Sequence, residues 1–174
     1  RARAAQLCTQ LTARQARGGE AAASSNASLF EQTLSDIHLG RMTSLVPADA
    51  APARLGTRRF GVSQRTASGK LKLRCIDDFA QSLVNSTVTV DRRIRMGSIA
   101  DLAETARRLH SSCPNEPLHL LKSDFKAAYR SCPILPEHAR LATILIQDPD
   151  TGKVLASRQL AMPFGAVAAV YAWD

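Results

Sequence analysis

Apolar and polar positions alternate in two patterns along this chain, and each predicts a different element. A 3.6-residue period marks helices, and a two-residue period or a short apolar run marks strands. Residues 1–28 have few large apolar groups and read as a frayed helix or a disordered arm. Ser28 is placed to cap a helix from about Leu29 to His38, with Gly40 as its stop. Residues 45–56 carry Pro47 and Pro52 and read as a loop. Residues 58–64 and 70–77 are β-prone on either side of a turn-rich link at 65–69, which predicts a β-hairpin. Residues 87–90 form a short β-branched run.

The second half opens with the clearest helix. It starts at Ser98, with Ile99, Leu102, Ala103, Ala106 and Leu109 on one face and Asp101 near its positive end. Pro114 and Pro117 end it. Residues 118–123 read as an apolar strand running into Asp124, and residues 126–131 as one helical turn stopped at Pro133. Residues 140–146 and 153–160 read as strands joined by the turn signal Asp148-Pro-Asp-Thr-Gly152. From Gly165 to Trp173 the chain reads as the start of a buried helix. No internal repeat is visible. The order predicts an α+β fold of antiparallel strands with packed helices.

Composition narrows the possible functions. The 174 residues are 45% apolar and 22% charged, which is ordinary for a globular chain. No apolar run approaches the roughly 18 residues of a membrane span. The net charge is +8, and its placement says more than its size. Seven basic residues (Arg54, Arg58, Arg59, Arg65, Lys70, Lys72 and Arg74) lie between Ala51 and Ile76 with no acid among them. Both hairpin arms are therefore basic, which suits phosphate contacts, although a solvated hairpin would share the pattern. Cys8, Cys75, Cys113 and Cys132 form no Cys-x-x-Cys pair and no zinc spacing with the four histidines. They read as reduced cysteines of an intracellular protein. No secretory apolar segment is present, while the basic, acid-free residues 1–12 allow a transit-peptide reading. The start at Arg1 and the end at Trp173-Asp174 read as cuts in a longer protein.

Three local features could carry chemistry. A strand ending in Asp124 would present a carboxylate at a sheet edge, where it can hold a hard cation such as Mg²⁺, and a helix cap is the plainer reading. Tyr129, five residues on, could pack against a sugar ring or simply sit half-buried in a loop. Met162-Pro-Phe-Gly165 precedes an Ala-rich run, where Gly165 would permit close backbone approach or an ordinary helix start.

Taken in order, these segments resemble the reverse transcriptase family of right-hand polymerases, closest to divergent retroelement types, over about residues 58–173. Arg74-Cys-Ile-Asp-Asp-Phe79 with Asn85 resembles the fingers motif. The resemblance implies that Arg74 grips the triphosphate, with Lys70 or Lys72 as a second ligand. Asp124-Phe-Lys-Ala-Ala-Tyr129 resembles motif A. There Asp124 and the Phe125 carbonyl would serve two Mg²⁺ ions, and Tyr129 would screen the sugar 2′ position. Pro163-Phe-Gly165 resembles motif B, with Phe164 and Gly165 lining the nucleotide. Arg58, Arg59, Arg65 and Asn85 would contact nucleic acid.

This reading divides the chain into an arm (1–28), a fingers-like segment (29–117) with the hairpin at 58–78, and a partial palm (118–174). The partners implied are an RNA or DNA template-primer, a deoxynucleoside triphosphate and a further C-terminal palm and thumb segment. The family's motif C, Tyr-x-Asp-Asp, does not follow motif B here. Cys75-Ile-Asp-Asp78 could stand for a motif C moved ahead of motif A, as in permuted viral polymerases, but Arg74 and Asn85 around it fit the fingers motif better. The expectation is a polymerase fragment that is inactive alone. The alternatives are a non-catalytic nucleic-acid-binding module or a degenerate retroelement remnant.

Overall fold

The structure is a computed structural model that describes residues 6–11, 20–51, 56–66, 68–91, 93–95 and 97–173. Arg54 and much of the expected N-terminal arm (1–5 and 12–19) lie outside the described residues. The chain forms two units, one of residues 1–89 with 127–174 and one of Val90–Lys126.

The larger unit is built on a five-stranded sheet. Its strands are β1 (Val46–Pro47), β2 (Thr57–Arg65), β3 (Leu71–Asp77), β4 (Thr143–Gln147) and β5 (Val154–Arg158), in the spatial order β1-β5-β4-β2-β3. Apolar residues run unbroken along β4, from Ile144 to Ile146, and all five of its residues are buried, as expected of a central strand. The turn between β4 and β5 follows its sequence signal. The Asp148 carboxylate accepts from the Asp150 amide (2.9 Å) and the Thr151 hydroxyl (2.7 Å), and Gly152 takes a positive φ. The predicted antiparallel arrangement holds for three of the four strand pairings and fails at the fourth. β2 and β4 pair in parallel, Thr57 with Ile144 and Arg58 with Leu145, so the sheet is mixed. Period-two patterning identifies strands but leaves their relative direction open. That pairing also places the segments expected as fingers and palm in one sheet.

The basic hairpin forms as predicted, with β2 antiparallel to β3 from Arg59↔Asp77 to Arg65↔Leu71. The Thr66 amide donates to the Lys70 carbonyl at 2.8 Å, and Gly69 takes the positive φ that closes the turn. The root of the hairpin is covered and its tip is exposed.

Helix α1 (Glu20–His38) packs on β2, β3 and β4. It begins eight residues before Ser28, which lies inside the helix rather than at its cap. Gly40 stops it as expected, with φ +68°. Its inward face carries Leu29 and Thr33 at i, i+4, so one position of the apolar stripe is polar. Residues 6–11 are helical, one of the two forms expected here, and Leu7 joins Leu145 and Ala156 in a core cluster. Leu7 and Leu11 share a helix face, which gives this otherwise polar stretch a side to bury. Residues 128–131 form the expected single turn, as a 3₁₀ helix (Ala128–Ser131). Two short helices, α3 (Pro136–Ala139) and α4 (Val167–Trp173), complete this unit, and residues 88–90 form no strand.

The smaller unit holds a fourteen-residue helix, α2 (Ile99–Ser112), where the sequence places it. Ser98 and Asp101 form a reciprocal capping box, with Ser98 Oγ accepting from the Asp101 amide and the Asp101 carboxylate accepting from the Ser98 amide at 2.7 Å. The bonds that this carboxylate accepts from the Ser98 amide and hydroxyl hold the Asp101 carboxyl below its usual range. The strand expected at 118–123 does not form. These residues are exposed and have no regular structure, because an apolar run becomes a strand only where a partner strand completes its hydrogen bonds.

Candidate functional site

Position on the hairpin decides what each basic residue can do. Alternation along β2 turns Thr57 and Arg59 inward and leaves the residues beyond Gly61 exposed. Arg65, Lys70, Lys72 and Arg74 all lie on the exposed part. Arg74 Nε donates to the Gln64 side chain across the strands. Neither Asp77 nor Asp78 holds Arg74. Asp78 accepts from Arg58 at 3.3 Å, and Asp77 is taken by Arg59. Arg58 is half-buried and lies over the Phe60 ring, 5.1 Å from its centroid.

Arg59 does not present its charge at the surface. Its side chain is 1% exposed, and its Nε and NH2 donate to the two Asp77 oxygens at 2.8 and 3.2 Å. Burial alone pulls the guanidinium pKa down, but the Asp77 charge and hydrogen bonds outweigh it and raise the value. Arg59 is thus a structural ion-pair member and not an open phosphate contact. A count of charges cannot show this, whereas the strand alternation can.

Around that pair lies a buried polar cluster. Arg59 NH1 also donates to Thr33 Oγ1 (3.0 Å) and sits 3.5 Å from Asp36. Asp36 pairs with Arg41 at 3.5 Å and with Arg130. Gln159, fully buried, donates from Nε2 to Asp77 Oδ2 (2.7 Å) and accepts at Oε1 from Arg130 NH1 (2.8 Å). Burial lowers the Arg130 pKa, and Asp36 partly offsets this. Cys75 also lies beside the cluster and donates to Gln32 Oε1 at 3.0 Å; burial raises its thiol to about 11, so it stays protonated at neutral pH. Asp36, Arg130 and Gln159 gave no motif signal. Only the hairpin register, which sets Arg59 opposite Asp77, was available as a pointer.

The motif B-like loop packs directly on the fingers-like motif. The Asp77 amide donates to the Phe164 carbonyl at 3.1 Å. Gly165 has φ +103°, and a Cβ there would fall 2.1 Å from the Asp77 carbonyl oxygen. Asn85, expected as a nucleic-acid contact, holds this loop. Its Nδ2 donates to the Gly165 carbonyl (2.9 Å), and its Oδ1 accepts from the Val167 amide (3.0 Å) at the entry to α4. An Asn can do both because its amide carries donor and acceptor together. Tyr129 and Phe164 meet edge to face, with ring centroids 5.6 Å apart.

Asp124 and Phe125 belong to the smaller unit, where both are exposed. Among the described residues no group of three or more His, Cys, Asp or Glu side chains could hold a metal ion. Asp124 is a single carboxylate, and the described residues do not complete a two-metal site. No helix is long and apolar enough to cross a membrane among the described residues. No protein-family model matches the chain, and no curated protein matches it.

Proposed function

We propose that this chain is the fingers and part of the palm of a reverse-transcriptase-like polymerase. The parent reaction is template-directed transfer of a nucleotide from a deoxynucleoside triphosphate to a primer 3′ hydroxyl. The observation that supports it best is the convergence of three separated segments: Phe164 touches Tyr129, and the Phe164–Gly165 loop is held by Asp77 and Asn85. In this reading Arg74, Lys70 and Lys72 grip phosphates from the exposed hairpin, Tyr129 screens the sugar 2′ position, and Phe164 and Gly165 back the nucleotide. Asp124 and the Phe125 carbonyl contribute to Mg²⁺ binding. The remaining carboxylates would come from a further palm segment, so the purified chain is expected to extend no primer. Extension that is lost on Asp124→Ala would overturn that expectation.

The exposed basic hairpin tip also favours a second reading, a nucleic-acid-binding module without catalysis. Both readings expect Lys70→Glu with Lys72→Glu to weaken template-primer binding at least about ten-fold. They also expect the salt dependence to become shallower by roughly 0.9 for each phosphate that is no longer neutralised. Unchanged affinity and slope in a fluorescence anisotropy titration would remove the hairpin from both. Only the polymerase reading expects a bound deoxynucleoside triphosphate.

A further inference from the structure

The two aromatic rings proposed to face the nucleotide are joined underneath by a closed set of interactions. Tyr129 is followed in the 3₁₀ helix by Arg130, whose NH1 donates to Gln159 Oε1. Gln159 Nε2 donates to Asp77 Oδ2, and the Asp77 amide donates to the Phe164 carbonyl. Phe164 then returns to Tyr129 through the ring pair. Gln159 is the only member of this loop whose side chain bonds to both halves. Its orientation is fixed, because the carboxylate can only accept and the guanidinium can only donate. One amide flip would leave two mismatched buried bonds. The Gln159 backbone is also held, since its N–H donates to the Ala142 carbonyl at 2.9 Å.

We infer that Gln159 is a positioning residue for nucleotide-sugar discrimination: it touches no nucleotide and sets the Tyr129–Phe164 pair through Arg130 and Asp77. The discrimination rests on the polymerase reading; the positioning of the rings does not. The donor and acceptor polarity gives a specific test. Asp77→Asn alone turns an amide donor towards the Gln159 or Arg59 donors. Gln159→Glu alone sets a carboxylate against the Asp77 carboxylate. The double variant restores a donor at 77 facing an acceptor at 159, keeps an acceptor for Arg59 Nε and leaves the cluster's formal charge unchanged, although Arg59 NH2 loses the Oδ2 acceptor it shares with Gln159.

The full chain is labelled with 3-fluorotyrosine and read by ¹⁹F NMR, with Tyr129→Phe assigning the Tyr129 resonance and Phe164→Leu marking the position it takes without the second ring. Each single variant is expected to move the resonance towards the Phe164→Leu position, and the double variant is expected to move it back. A folded Gln159→Glu with an unmoved resonance overturns the inference, as does a folded double variant that resembles Phe164→Leu. If the single variants lose cooperative urea unfolding, the double variant decides. A folded double with the wild-type resonance supports the inference; if the double is unfolded, the uncharged Gln159→Met decides, a moved resonance supporting the inference and an unmoved one overturning it. In a parallel titration, the preference for a deoxy- over a ribonucleoside triphosphate is expected to fall several-fold in the single variants and to recover in the double. An unchanged preference alongside a moved resonance overturns the discrimination role. Absence of nucleotide binding by the wild-type chain would refute the polymerase reading and its discrimination role, while the ring positioning is decided by the resonance alone.

Discussion

Asp77→Ala lowers the free energy of unfolding by about 3–5 kcal/mol, measured by urea denaturation, because it strands a buried charge. Arg59 has a side chain 1% exposed and cannot neutralise itself by losing a proton. Without Asp77 it retains Thr33 at 3.0 Å and Asp36 at 3.5 Å, and the latter also serves Arg130 and Arg41. Gln159 Nε2 loses its acceptor at the same time. Replacing both members of the pair, as Arg59→Met with Asp77→Leu, costs less than Asp77→Ala alone, since no charge is left unpaired. A loss below about 1 kcal/mol for Asp77→Ala would show that the pair is open to water. Absence of a cooperative transition in the unmutated chain would favour the degenerate-remnant alternative.

Gly165→Ala is expected to cost about 2–5 kcal/mol through backbone strain and overlap together. Its φ of +103° is one that a side chain opposes, and the obstructing atom, the Asp77 carbonyl oxygen at 2.1 Å, is backbone. Relief would require the loop to leave Asp77, taking Phe164 from Tyr129. Gly61→Ala is the informative contrast. Its added Cβ meets the end of the flexible Leu73 side chain at 2.6 Å, so the change should stay within about 1 kcal/mol. Equal losses in the two variants would show that the Gly165 loop is not held on Asp77.

Local signals carried much of the fold. The turn at 66–70, the stop at Gly40, the capping box at Ser98 and the Asp148 turn are each decided within a few residues, and each forms. What depended on distant partners was less legible. The apolar run at 118–123 resembles a strand only in its side chains, and among the described residues no strand pairs with it. The parallel β2–β4 pairing joins residues more than eighty positions apart. Charge counting placed Arg59 with the surface cations, whereas counting outward from the hairpin turn sets it opposite Asp77. Asn85 bonds to a backbone loop eighty residues away, a partner that no local signal names.

The most direct test of the polymerase reading is a calorimetric titration of the purified chain with a deoxynucleoside triphosphate in Mg²⁺, compared with Arg74→Ala. Arg74 is exposed on the hairpin, so its removal leaves the buried cluster intact. The reading predicts saturable binding that weakens at least about ten-fold in the variant, consistent with the loss of a charge-assisted phosphate hydrogen bond. Template-primer binding without any saturable triphosphate binding, or triphosphate binding indifferent to Arg74, would contradict it.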